Sequence, residues 1–115
     1  MANIPLSQLE QMFRNMQTEA GWDTEQELLW GYFFMDPEPG NLQPLARKLE
    51  EMGYRFVDLY PTDDGATHVL HVERVERHSP RSLDRRNQEL NALAKECGVE
   101  SYDGMDVGPV SGASQ

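Results

Sequence analysis

The sequence predicts an α+β fold in which helices pack on one face of an antiparallel sheet. Apolar residues recur at steps of three and four in three segments, which is the spacing of a helix with one buried side. In four other segments they alternate or run without a break, which is typical of strands. The 115-residue chain is long enough to bury a core of its own, and 38% of its residues are hydrophobic.

The first segment predicts a helix over residues 6–20. Ser7 and Glu10 have the spacing of a capping box, and Gly21 is a natural helix stop. The stretch Leu28–Met35 then predicts a central strand, because apolar and aromatic side chains occupy both of its alternating faces.

The middle of the chain predicts a second helix and a hairpin. Residues 36–40 contain two prolines and are expected to form a loop, after which Asn41 is the predicted cap of the second helix. Strand-like runs at 54–60 and 67–77 flank the turn residues at 63–65, which indicates a β-hairpin.

The last third of the chain predicts a helix followed by a strand. Ser79 and Pro80 have the residue types of a helix start, Gly98 ends that helix, and residues 99–107 form the last strand. After the leading helix the order is therefore βαββαβ. The sequence predicts a ferredoxin-like sandwich, with a four-stranded antiparallel sheet, two helices on one face and an extra N-terminal helix. We expect a single domain over residues 1–110 and a flexible tail at 111–115.

Charge restricts the choice of partner. Ten Lys and Arg residues stand against twenty Asp and Glu residues, which gives a formal net charge of −10. Phosphate backbones and anionic membranes are bound through basic residues, so neither nucleic acid nor a membrane is an expected direct partner. The acidic residues are spread along the sequence, whereas arginines concentrate around the third strand and the third helix. These arginines either pair with neighbouring carboxylates or form a basic patch that orients a partner: Arg74, Arg77, Arg81, Arg85 and Arg86.

The sequence predicts a cytoplasmic location. Cys97 is the one cysteine, so no disulfide can form within the chain. The N-terminus has neither the basic start nor the apolar run of a signal peptide. The most apolar stretch is much shorter than the roughly twenty residues that span a membrane.

No catalytic residue, metal site or cofactor is predicted. His68 and His71 are three apart on a strand and point to opposite faces, so they are poorly placed to share a metal ion. Ser79 is explained as a helix cap, and no nucleophile elbow or phosphate-binding glycine loop is present. On the first strand, Trp30 and Tyr32 share a face that either fills the core or forms an open aromatic surface for a protein partner.

Several short segments resemble the family called regulator of ribonuclease E activity B, the protein inhibitors of ribonuclease E. The likeness extends over residues 28–110, and its most specific motif is Tyr102-Asp103-Gly104. In this sequence Met105 follows that motif, where members of the family commonly have tryptophan. The other similar segments are residues 29–34, Gly53-Tyr54, residues 63–73 and residues 90–94.

The resemblance implies a cytoplasmic protein without enzymatic activity that binds ribonuclease E and modulates, or inhibits, its cleavage of RNA. Two alternatives remain open: an acidic protein that neutralises another basic protein, and a small-molecule enzyme on the same scaffold. The oligomeric state is also left open. The residues we predict to contact the partner come from the aromatic face and the last strand: Trp30, Tyr32, Tyr102, Asp103 and Met105.

Overall fold

The structure, a computed structural model, describes residues 5–19, 21 and 26–108. Over that part of the chain the predicted α+β class and the extra N-terminal helix are confirmed, while the predicted tail at 111–115 lies outside the described residues. The elements are α1 (Leu6–Thr18), β1 (Leu28–Asp36), α2 (Pro39–Glu51), β2 (Arg55–Pro61), β3 (His68–Glu76), α3 (Pro80–Glu96) and β4 (Ser101–Gly108).

The four strands form one sheet in the order β2-β3-β1-β4, and every neighbouring pair is antiparallel. β1 is one of the two inner strands, as its aromatic sequence predicts, because it pairs with β3 on one side and with β4 on the other. The helix predicted at 6–20 ends at Thr18, and residue 20 lies outside the described residues.

One side of the sheet is buried under the helices, and we call it the covered face. Side chains of α2 and α3, among them Leu45 and Leu90, join the same core cluster as this face, and Phe13 of α1 stacks on its Trp30 with ring centroids 5.9 Å apart. Six sheet residues of this face are 0% exposed: Trp30, Tyr32, Phe34, Leu70, Val72 and Tyr102.

The opposite side of the sheet carries the alternate residues of each strand, and we call it the open face. The described helices pack against the covered face, so among the described residues this side is formed by strand side chains. Its residues, by the strand register, are Leu29, Gly31, Phe33 and Met35 from β1, Arg55, Asp58 and Tyr60 from β2, Val69, His71, Glu73 and Val75 from β3, and Ser101, Gly104, Asp106 and Gly108 from β4.

The first and third helices begin in different ways. At α3 the predicted cap is confirmed, because the Ser79 hydroxyl accepts from the Ser82 backbone N–H at 3.1 Å and the Ser82 hydroxyl accepts from the Ser79 N–H at 2.8 Å. At α1 the predicted capping box is wrong. This helix begins at Leu6 after Pro5, so Ser7 lies within the first turn and cannot adopt the extended conformation that a cap requires.

The second helix begins two residues earlier than Asn41, the cap that the sequence predicts. The side chain of Asp36 explains this start, since its Oδ1 atom accepts from the Glu38 backbone N–H at 2.8 Å and from the Asn41 side chain at 3.2 Å. Pro39 then occupies the first helical position, where its missing N–H costs nothing.

Candidate partner-binding surface

Three of the five predicted contact residues lie inside the protein. Trp30, Tyr32 and Tyr102 are all 0% exposed. Of the two alternatives for the face that Trp30 and Tyr32 share, the open aromatic surface is therefore excluded. The helices cover the face from which these side chains project, which corresponds to the core alternative for this strand. A partner cannot touch these three residues while the protein is folded.

The buried aromatic residues hold a polar network together. The Tyr32 hydroxyl donates to Glu76 Oε2 at 2.6 Å, and Arg86 donates to the same oxygen at 2.6 Å. His78 Nε2 lies 3.1 Å from that oxygen. Burial alone would raise the pKa of Glu76, but the hydrogen bonds from His78, Tyr32 and Arg86 outweigh it and lower the pKa to about 2. Burial, with the hydrogen bond to Glu76, raises the pKa of Tyr32. The network therefore ties β1, β3 and α3 together.

Part of the arginine cluster belongs to this network. The guanidinium groups of Arg74 and Arg86 lie 5.3 and 5.6 Å from the centroid of the Tyr54 ring, and both arginines pair with Glu76. For these two arginines the structure therefore favours pairing over a basic patch. Arg81 and Arg85 lie exposed on α3.

Tyr102 anchors the last strand to the third helix. Its hydroxyl donates to the Oδ1 atom of Asn87 at 2.6 Å, and both side chains are buried. The first residue of the motif Tyr102-Asp103-Gly104 is therefore part of the core.

The rest of that motif forms a bulge at the edge of the sheet. Phe34 pairs with Tyr102 and Phe33 pairs with Gly104, so Asp103 is an extra residue in β4. The φ angle of Gly104 is +125°, a conformation that favours glycine.

Asp103 and Met105 are the two predicted contact residues that solvent reaches. Asp103 is exposed in the bulge, whereas Met105 is half-buried and packs against the core cluster. Their role in binding stays a prediction.

One row of side chains crosses the open face from β2 to β4 in the order Arg55, Glu73, Gly31, Asp106. Arg55 forms an ion pair with Glu73, which is only 8% exposed. A Cβ atom built on Gly31 would overlap Asp106 Oδ1 and would lie 2.8 Å from His71 Nε2. Gly31 is therefore the point at which side chains from two flanking strands fold over the backbone of β1.

The adjacent row is aromatic at its centre and runs in the order Asp58, His71, Phe33, Gly104. The rings of His71 and Phe33 are stacked, with centroids 4.3 Å apart and 18° between their planes. Burial lowers the pKa of His71, and the carboxylates of Asp106 and Asp58 oppose that shift. Gly104 leaves the β4 side of the Phe33 ring without a neighbouring side chain in this row.

Acidic residues are unevenly divided between the helices and the rest of the chain. The three helices together contain seven basic and six acidic residues. The rest of the chain contains three basic and fourteen acidic residues. The acidic surplus that looked evenly spread in the sequence therefore lies outside the three described helices.

Exposed apolar side chains are concentrated on the strands. Val75 of the open face is 44% exposed and Tyr60 is 37% exposed, and both belong to the sheet. On β2, which forms one edge of the sheet, Phe56 and Val57 are 40% and 37% exposed. Such side chains are typical of surfaces that bind proteins.

The described residues contain neither a metal cluster nor a membrane-spanning helix. Among residues 5–19, 21 and 26–108, no three His, Cys, Asp or Glu side chains are grouped so that they could hold a metal ion. Within the same ranges, no helix has the length and apolar character needed to cross a membrane.

Comparison with known proteins agrees with the resemblance seen in the sequence. No curated protein matches the chain. A family model described as regulator of ribonuclease activity B matches residues 7–107, which is nearly the whole chain and includes every described helix and strand in whole or in large part. The chain therefore belongs to the regulator of ribonuclease activity B family, and its role is to regulate a ribonuclease, not to act as an enzyme.

Proposed function

We propose that this protein binds ribonuclease E and lowers the rate at which that enzyme cleaves RNA. The observation that carries the proposal is the acidic surplus outside the helices, where fourteen acidic residues stand against three basic ones. Family membership supplies the class of target, since it makes the chain a regulator of ribonuclease activity. The resemblance of residues 28–110 to inhibitors of ribonuclease E supplies the particular enzyme.

The proposed mechanism is competition for basic segments of the ribonuclease. An enzyme that binds RNA through Lys and Arg neutralises phosphate charges, and a protein of net charge −10 is attracted to the same cationic segments. Disordered basic segments can wrap a large acidic surface. The regulator would therefore reduce RNA binding without making contact with RNA.

The proposal includes the architecture that carries this surface. We take the domain, residues 1–110, to be ferredoxin-like, which the strand order β2-β3-β1-β4 and the two helical crossovers support. We place the protein in the cytoplasm, where Cys97 would remain a free thiol.

A cleavage assay with purified ribonuclease E tests the proposal. Adding the protein should lower the initial rate of cleavage of a fluorescent single-stranded RNA in a saturable way. The affinity measured by calorimetry should fall as salt is raised, because the attraction is between exposed charges. A ribonuclease without basic disordered segments serves as the control and should keep its full rate. Unchanged cleavage by ribonuclease E, or direct binding of the protein to the RNA, would overturn the proposal.

A further inference from the structure

We propose that the open face binds an arginine side chain of an extended cationic segment, with the guanidinium stacked on Phe33 beside Gly104 and paired with Asp106. This inference rests on the proposed function and adds the location and the chemistry of binding. The segment is taken to belong to the protein partner.

The first support is the charge left on the open face. Arg55 is the one Lys or Arg side chain among its described residues, and it pairs with Glu73. Asp58 and Asp106 have no Lys or Arg partner among the described residues, and the basic group they act on is His71, whose pKa burial lowers. Carboxylates therefore outnumber cations on this face, and together with its half-buried apolar side chains they are complementary to a cationic ligand.

The second support is the setting of Phe33 on the open face. The row Asp58, His71, Phe33, Gly104 places His71 against one side of the Phe33 ring and a residue without a side chain, itself buried, across from the other side. Asp106 lies on the same face of β4, two residues after Gly104, and is exposed. A planar cation that reached the exposed part of the Phe33 ring from solvent would meet the aromatic ring on one side and the carboxylate of Asp106 at its edge.

Arginine suits this arrangement better than lysine. The guanidinium group is flat, stacks on aromatic rings and donates two parallel hydrogen bonds to one carboxylate. The ammonium group of lysine is compact and strongly hydrated, and it cannot make the same pair of contacts.

A second copy of this chain is a poorer occupant of the face. Two copies related by a two-fold axis would use the same surface on both sides, so each would bring the carboxylates of Asp58 and Asp106 to the interface. Like charges placed together across an interface oppose association. A basic segment from another protein meets no such repulsion.

The test compares open-face variants with a variant of matched charge on the helical layer. Phe33→Ala and the double variant Asp58→Asn/Asp106→Asn should each weaken the affinity for ribonuclease E about tenfold or more, as expected for central contacts of an interface. Glu50→Gln/Glu51→Gln removes the same charge from the exposed end of α2 and should change the affinity by less than about threefold. Equal losses in the two double variants, or wild-type affinity in both open-face variants, would overturn the inference.

Synthetic peptides separate this inference from the proposed function. A peptide of alternating arginine and glycine should bind the wild-type protein at least about fivefold more tightly than the lysine–glycine peptide of equal length, and Phe33→Ala should remove that preference. This measurement stands even if ribonuclease E itself does not bind. Equal affinity for the two peptides would overturn the arginine site. The site would also be overturned if sedimentation showed that the wild-type protein is a dimer and that Phe33→Ala dissociates it.

If Phe33→Ala does not fold, Phe33→Leu takes its place in both experiments, because it keeps most of the apolar volume and removes the aromatic ring.

Discussion

The two faces of the sheet are built from alternate residues of the same strands, yet their surroundings differ. On the covered face, Trp30, Tyr32 and Tyr102 are fully buried and each donates a hydrogen bond to a residue of β3 or α3. On the open face, Phe33 and His71 are half-buried, and the two carboxylates beside them, Asp58 and Asp106, have no Lys or Arg partner among the described residues. Stability should therefore depend on one face and recognition on the other, so that each can be altered separately.

The neighbouring residues Phe33 and Phe34 provide the sharpest test of that division. Phe34→Ala empties a site that is 0% exposed and should lower the free energy of unfolding by about 3–5 kcal/mol, because it removes buried surface and leaves a cavity. Phe33→Ala removes the same atoms from the half-buried open face and should cost about 1 kcal/mol. Urea unfolding followed by circular dichroism gives both values. Equal losses would show that the open face is also part of the core.

The carboxylate of Glu76 should make the covered face sensitive to acid. Its pKa of about 2 lies below the ordinary value of 4.5, so the folded state favours the ionised form. The stabilisation is then complete above the ordinary pKa and is lost as the pH falls towards 2. We expect wild-type protein to exceed Glu76→Gln in unfolding free energy by about 2–3 kcal/mol at pH 6.

A pH series of urea unfolding isolates that contribution from the effect of net charge. The difference between wild type and Glu76→Gln should shrink steadily between about pH 5 and pH 2, because protonation leaves both proteins with a neutral group at this position. Glu50→Gln, on the exposed part of α2, should remain close to wild type throughout the series. A difference that did not change with pH would mean that the network works through packing instead of charge.

The order of elements follows from local patterns, whereas the choice of face does not. Helical spacing, the Ser79-Pro80 start and the apolar run of β1 each depend on residues close together in the sequence, and they predict the described elements well. The sequence of β1 places aromatic side chains on both faces, so only the position of the helices decides that Trp30 is buried and Phe33 is not.

The candidate site was harder to predict because its parts are distant in sequence. Glu76 meets Tyr32 across 44 positions, and Phe33 faces a glycine of β4 only because a bulge shifts the register there. The one local signal was Gly104, since glycine inside a strand often marks a bulge or a close approach of another group. The acidic surplus outside the helices could not be predicted without the helix boundaries, because it appears only when the charges of the helices are counted separately from those of the rest of the chain.

Two tyrosines, one on each face, test the comparison at the level of a single hydroxyl group. Tyr102→Phe removes the donor to Asn87, whose side chain is buried, and should cost about 1–2 kcal/mol by leaving a polar group without its partner. Tyr60→Phe removes a hydroxyl from a side chain that is 37% exposed on the open face, and water replaces its contacts. Its cost should be below about 0.5 kcal/mol. Thermal unfolding of the two variants measures the difference, and a larger loss at Tyr60 would contradict it.

The smallest effect concerns the attachment of the third helix over the covered face. Ser79→Ala removes the cap of α3 and should lower the unfolding free energy by about 1 kcal/mol. Ser7→Ala is the matched change at the first helix, where the serine lies within the first turn and the cap position is held by Pro5 without a side-chain hydrogen bond. Because alanine is the better helix former at such a position, this change should leave stability within about 0.5 kcal/mol of wild type. A loss of about 1 kcal/mol at Ser7 would contradict this difference, because it would mean that Ser7 caps α1 as Ser79 caps α3.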